Sequence, residues 1–156
     1  MKTHFYIPLL GLLLLAAELP FSAWASLGQN TQSISADGTP TGPLQNSAVP
    51  NIKEQTVSDA NGTQLTEFVS NGIVFGLTWS GHQAPNYTQI FTPTYVQIFQ
   101  SQLPLVKPGH LHSPIAVNHP QLVVHLYGHM GYSAGSAYLP NQVPHGMTLS
   151  TLGIAP

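Results

Sequence analysis

The chain has 156 residues, room for one domain and scarcely for two. Charged residues make up 5% of it, against roughly a quarter in an ordinary soluble protein, and the formal net charge is -2. There is no Arg, and the Lys are Lys2, Lys53 and Lys107, which excludes nucleic-acid binding by phosphate neutralisation and a polybasic membrane-surface segment.

Residues 1–25 have the three-part layout of a secretory signal peptide. Lys2 and His4 give a basic start, residues 7–17 form an apolar run interrupted by Pro8 and Gly11, and Pro20 breaks it. Ala23-Trp24-Ala25 then supplies a small-x-small site, so cleavage is expected between Ala25 and Ser26. The run is shorter than the roughly 20 residues of a spanning helix, and no transmembrane span is expected after processing. Cys is absent, which removes a lipid anchor, disulfides and thiolate chemistry together. The expected location is periplasmic or secreted.

Residues 26–54 read as a loosely structured N-terminal segment. Gly38-Thr39-Pro40-Thr41-Gly42-Pro43 is turn and breaker chemistry, and only residues 32–36, centred on Ile34, read as a short strand or one helical turn. A single domain is expected over residues 55–156. Asn61-Gly62 and Asn71-Gly72 are hairpin-turn dipeptides, and residues 63–70 between them alternate, with Leu65, Glu67 and Val69 facing one way. Residues 73–80 are rich in β-branched and aromatic side chains, so this part reads as an antiparallel meander.

Tyr87, Ile90, Phe91, Tyr95, Ile98 and Phe99 recur at helical spacing. Pro93 suits the first helical position after an N-cap Thr92, which predicts a helix over residues 92–102 following a preliminary turn. Trp79 and Phe75 are expected to pack against its Tyr95, Ile98 and Phe99. Residues 103–120 carry Pro104, Pro108, Pro114 and Pro120 and read as a Pro/His-rich loop. Residues 121–127 form a strand, with residues 131–139 returning as its partner. The expected fold is α+β: a small antiparallel sheet of about five strands with one helix packed on one face.

Several of these segments carry a resemblance. Ala25-Ser26-Leu27-Gly28, Glu67-Phe68-Val69-Ser70, Gly72-Ile73-Val74-Phe75 and Trp79-Ser80-Gly81 are similar to the start, the E-Y-V-S-P-A-G-V-V-F segment and the W-x-G close of the domain-of-unknown-function family numbered 2844. Leu122-Val123-Val124, Gly128-His129-Met130 and Gly135-Ser136-Ala137-Tyr138-Leu139-Pro140 follow in that family's order. Gly131 and Ser136 stand where the family often has Arg. The resemblance implies a small exported bacterial protein and supplies no catalytic residues.

Three constellations invite chemistry. Gly131-Tyr132-Ser133-Ala134-Gly135 spells the G-x-S-x-G of a nucleophile elbow, but no Asp or Glu follows Ser133, and the context is not strand–elbow–helix. His110, His112, His119, His125 and His129 are the candidate ligands for a transition metal. His125 and His129 on one strand would be about 13 Å apart at ~3.3 Å per residue, too far to chelate together. Glu67 is expected to be a paired or edge-facing carboxylate rather than a catalytic one. With so few fixed charges, the His set is the main titratable reserve, and the net charge is expected to reverse in mild acid.

These readings converge on an exported, non-enzymatic binding or envelope-associated module. No catalytic or cofactor-binding residue is assigned. A His-based metal-binding protein is the alternative, and an exported hydrolase a weaker one.

Overall fold

The computed structural model describes residues 27–105 and 114–155. The expected signal peptide and cleavage site, together with His110 and His112, lie outside these residues.

The described residues form mostly antiparallel sheet with a few short helices. The strands are β1 (Thr39–Pro40), β2 (Gln45–Asn46), β3 (Lys53–Ser58), β4 (Gln64–Ser70), β5 (Ile73–Gly81), β6 (Ile115–His119), β7 (Leu122–His129) and β8 (Tyr132–Tyr138). They make one eight-stranded sheet in the order β1-β3-β4-β5-β8-β7-β6, with β2 also paired to β3. The β3–β4–β5 meander is present as expected, and Asn71 and Gly72 at φ 51° and 80° make the left-handed two-residue turn that Asn-Gly favours. At the other turn, Asp59 Oδ1 accepts the backbone N–H groups of Asn61 and Thr63, each at 2.8 Å.

The sheet exceeds the expected five strands for identifiable reasons. β1 and β2 come from the stretch read as loose, and they lie along successive parts of β3 (Thr39 opposite Ser58, Gln45 opposite Glu54). Two-residue strands have no periodicity to detect. β6 lies inside the stretch read as a Pro/His-rich loop over residues 103–120. Pro114 and Pro120 bracket Ile115-Ala116-Val117 rather than interrupt it, and the strand sits at a sheet edge, where Pro nearby is tolerated.

The helices are α1 (Ile34–Asp37), α2 (Tyr87–Ile90) and α3 (Pro93–Gln102). Thr92 has the extended N-cap conformation with Pro93 at the first helical turn, although its side chain makes no capping bond. α2 is the preliminary turn, capped by Asn86 Oδ1 accepting Thr88 N–H at 3.1 Å. No helix among the described residues is long and apolar enough to cross a membrane.

Two buried clusters occupy the two faces of the sheet. The larger contains Leu65, Leu77, Trp79 and Val124 from strands with Ile34, Ile90, Phe91 and Phe99 from helices. The smaller gathers Ile52, Phe68 and Phe75 with Leu152 and Ile154 of the C-terminal segment. Trp79 shares its cluster with Tyr95, Ile98 and Phe99, as expected, whereas Phe75 does not. The cause is a β-bulge. Phe68 pairs with Gly76 and Val69 with Val74, leaving Phe75 as the extra residue on β5 and reversing the alternation there. Val74 and Leu77 thus face one cluster, and Phe75 faces the other.

Candidate functional site

The β7–β8 hairpin turns at Met130-Gly131, with His129 opposite Tyr132 as its last pair. The two rings stack with centroids 5.4 Å apart. His82 Nδ1 lies 3.0 Å from Gly131 O, tying the loop after β5 to the hairpin tip. The tip is apolar and uncovered. Met130 is 99% exposed, and Tyr127 and Tyr132 are exposed beside it.

Below the tip lies a cleft of about 620 Å³ lined by Tyr87, Ile115, Leu126, Tyr127, Met130 and Tyr132, among others. Its volume falls within the roughly 300–1,000 Å³ range of small-molecule sites. Among the described residues that line it there is no Asp, Glu, Lys or Arg, and His129 is the one imidazole. Its described lining offers apolar and aromatic surface with hydroxyl and backbone polar groups, and no fixed charge.

Tyr87 links this cleft to the core. Its ring lies 4.9 Å from that of Phe99, 5.8 Å from Phe91 and 5.9 Å from Trp79, the last edge-on. Burial disfavours the tyrosinate there and pushes the Tyr87 hydroxyl up to about 12. Burial also raises Tyr95 and Tyr138. Because the folded state holds the Tyr87 proton more tightly than the unfolded chain, this contribution to stability is complete below about pH 10. It is lost as the pH rises towards about 12. In an alkaline absorbance titration, a late step near pH 12 is expected, and Tyr87→Phe should remove it. A late step unchanged in Tyr87→Phe would show that another ring is the buried one.

The sequence candidates among the described residues are dispersed. His119 ends β6, where its Nδ1 accepts the Gln121 N–H at 3.2 Å. His125 lies on β7 opposite Ser136, and His129 is one rung from the hairpin turn, opposite Tyr132. Among the described residues, no three of His, Asp and Glu form a group that could hold a metal ion. Ser133 is on β8 just past the hairpin turn, so G-x-S-x-G does not form a strand–elbow–helix here. Glu67 is fully buried in β4, between β3 and β5, so it does not face an edge. Its neighbours across the strands are Gln55 and Leu77, on the side of the larger cluster. Asp37, also buried, ends α1. Neither acid lines the hairpin cleft.

Tyr127, Met130, Tyr132 and His82 gather although nothing in their spacing announces a site. The available signal was local: a Met-Gly turn flanked by His and Tyr is an apolar choice for a hairpin tip, where polar residues are usual.

A family model described as a protein of unknown function, DUF2844, matches residues 23–152. The chain belongs to the DUF2844 family. No curated protein and no solved structure matches it. In this DUF2844 protein, Gly131 and Ser136 are structurally distinct positions. Gly131 is at the hairpin tip, whereas Ser136 is buried, with Oγ accepting the Ala155 N–H at 3.3 Å.

Proposed function

We propose that this DUF2844 protein is exported to the periplasm or beyond and acts there as a non-enzymatic binding module. In this reading it takes a small, uncharged, partly apolar ligand into the cleft under the β7–β8 hairpin. The observation that carries the reading is the union of that cleft with an uncovered Met130, Tyr127 and Tyr132 at its rim. Large apolar side chains gathered in the open on a hairpin tip cost solubility and mark a contact surface. The absence of carboxylates and cations among the described lining residues favours a neutral ligand over an ionic one. The signal-peptide layout of residues 1–25 supports export.

The test uses N-phenyl-1-naphthylamine, a neutral aromatic probe whose emission rises in apolar surroundings. Saturable binding to the processed protein is expected, weakened about tenfold by Met130→Ser with Tyr132→Ser, since each removes most of an apolar contact. Both residues are exposed, so the melting temperature should hold. Equal binding by the variant would overturn the ligand site. Intact mass of the exported form tests export separately: a chain beginning at Ser26 is expected, and one retaining Met1 would refute processing.

A further inference from the structure

The sheet face opposite the larger cluster is only partly covered. Directly paired residues share a face, so the cross-strand registers lay out its rows. One row runs Thr56, Thr66, Thr78, Ser136, His125 across β3, β4, β5, β8 and β7. The next runs Ser58, Gln64, Ser80, Ala134, Tyr127 across the same strands. A third row, with Phe68 and Tyr138, is the one buried by Leu152 and Ile154. The C-terminal segment thus covers one end of the face and reaches Ser136, which is buried with its Oγ accepting the Ala155 N–H, while Thr66, Thr78, Gln64, Ser80 and Tyr127 of the two rows stay partly or fully exposed.

A shallow cleft of about 240 Å³ opens there, lined by Gln64, Thr66, Thr78, Ser80, Tyr127 and Gly153, with Trp79 and Gly135 completing it. Thr66, Thr78 and Ser80 are half-buried, whereas Gln64 and Tyr127 are exposed. Thr56 and Thr66 share one hydrogen bond of 3.0 Å between their Oγ1 atoms, which uses a single hydroxyl proton of the two. Among the described residues, the side chains of Gln64, Thr78, Ser80 and Tyr127 make no hydrogen bond to protein. The cleft therefore presents a compact set of donors and acceptors, free to exchange water for a ligand, at the ~4.8 Å spacing of adjacent strands.

We propose that this cleft binds a sugar unit of a neutral polysaccharide. The chemistry selects that occupant in two ways. Hydroxyl and amide groups on a flat, β-branched floor match the hydroxyl rim of a pyranose ring, while the exposed face of Tyr127 offers aromatic surface for its C–H face. Charge complementarity then decides the class of polymer. Among the described residues no lining side chain is ionic, and Lys53, the one cationic Lys or Arg among them, is on β3 outside both rows. A polyanion would find no counter-charge and a polycation no acid, so an uncharged chain is the one that loses nothing on docking. The site goes beyond the hairpin cleft and lies largely apart from it, Tyr127 being common to both.

Affinity electrophoresis of the processed protein through native gels containing dextran, hydroxyethyl cellulose or galactomannan, with alginate as the anionic control, tests the proposal. Retardation by at least one neutral polymer and none by alginate is expected. The Thr66→Val, Thr78→Val double variant keeps side-chain shape and strand preference but removes two hydroxyls. It should weaken retardation about tenfold at unchanged melting temperature. Tyr127→Ala should do the same. The double variant should bind N-phenyl-1-naphthylamine normally, so loss of polysaccharide binding with the probe retained isolates this cleft from the hairpin one. Retardation by no neutral polymer, or equal retardation of wild type and variants, would overturn the proposal. So would retardation by alginate, or a concentration-dependent dimer that the double variant abolishes, since the face would then serve a polyanion or a second copy.

Discussion

Trp79→Ala is expected to abolish or nearly abolish the cooperative fold. The indole is 3% exposed, sits in the larger cluster with Leu65, Leu77 and Phe99, and meets Tyr87 edge-on. Truncating such a ring costs about 3–5 kcal/mol, and a small domain commonly has about 5–15 kcal/mol to lose. Circular dichroism during urea unfolding is the appropriate measurement, because the variant loses its own fluorophore. Trp79→Phe provides the graded control. Indole Nε1 is buried without a hydrogen-bond partner among the described residues, so the Phe variant gives up area and no hydrogen bond. It should therefore remain folded with a reduced midpoint. A Trp79→Ala protein with a wild-type midpoint would mean that the indole does not organise the core.

Gly135→Ala should also be strongly destabilising. Gly135 is opposite Trp79 in the β5–β8 ladder, and the indole lies across the space that a side chain would occupy. A Cβ there would collide with Trp79 Cζ2 and come within 2.6 Å of both Trp79 Cε2 and His125 O. Overpacking of this kind costs about 1–3 kcal/mol where neighbours can shift, and the backbone carbonyl has little freedom to do so. The two residues should also be coupled. In a Trp79→Phe background the smaller ring relieves part of the collision, and the cost of Gly135→Ala should fall. A cost identical in both backgrounds would place the obstruction at the His125 carbonyl alone.

What was legible in the sequence follows from how each signal is generated. Long periodic segments and Asn-Gly turns declare themselves locally, so β3–β5, β7–β8 and the bounds of α3 are readable in the chain. Thr39–Pro40 and Gln45–Asn46 become strands only because β3 offers them an edge, a tertiary cause with no local trace. Phe75 shows the same limit. Its position in an apolar run is plain, but a single bulged residue decides which face it occupies. Of the His set, His110 and His112 lie outside the described residues, His125 and His129 are four residues apart on one strand, a spacing already legible in the chain, and His119 bonds within its own turn. The hydroxyl cleft depends on which part of the sheet face the C-terminal segment covers, and no pattern along the chain records that choice.

The placement of Leu152 and Ile154 against Phe68 and Phe75 also bears on the order in which the fold is completed. The second apolar layer joins residues of β4 and β5 to a segment that follows β8, so it closes across a long intervening stretch of chain. Until that segment docks, one face of the sheet is dressed and part of the other is bare, and the long loop that must close delays native pairing. The meander and the β7–β8 hairpin can form from local contacts, whereas the clasp over the second face is a non-local step that topology sets late.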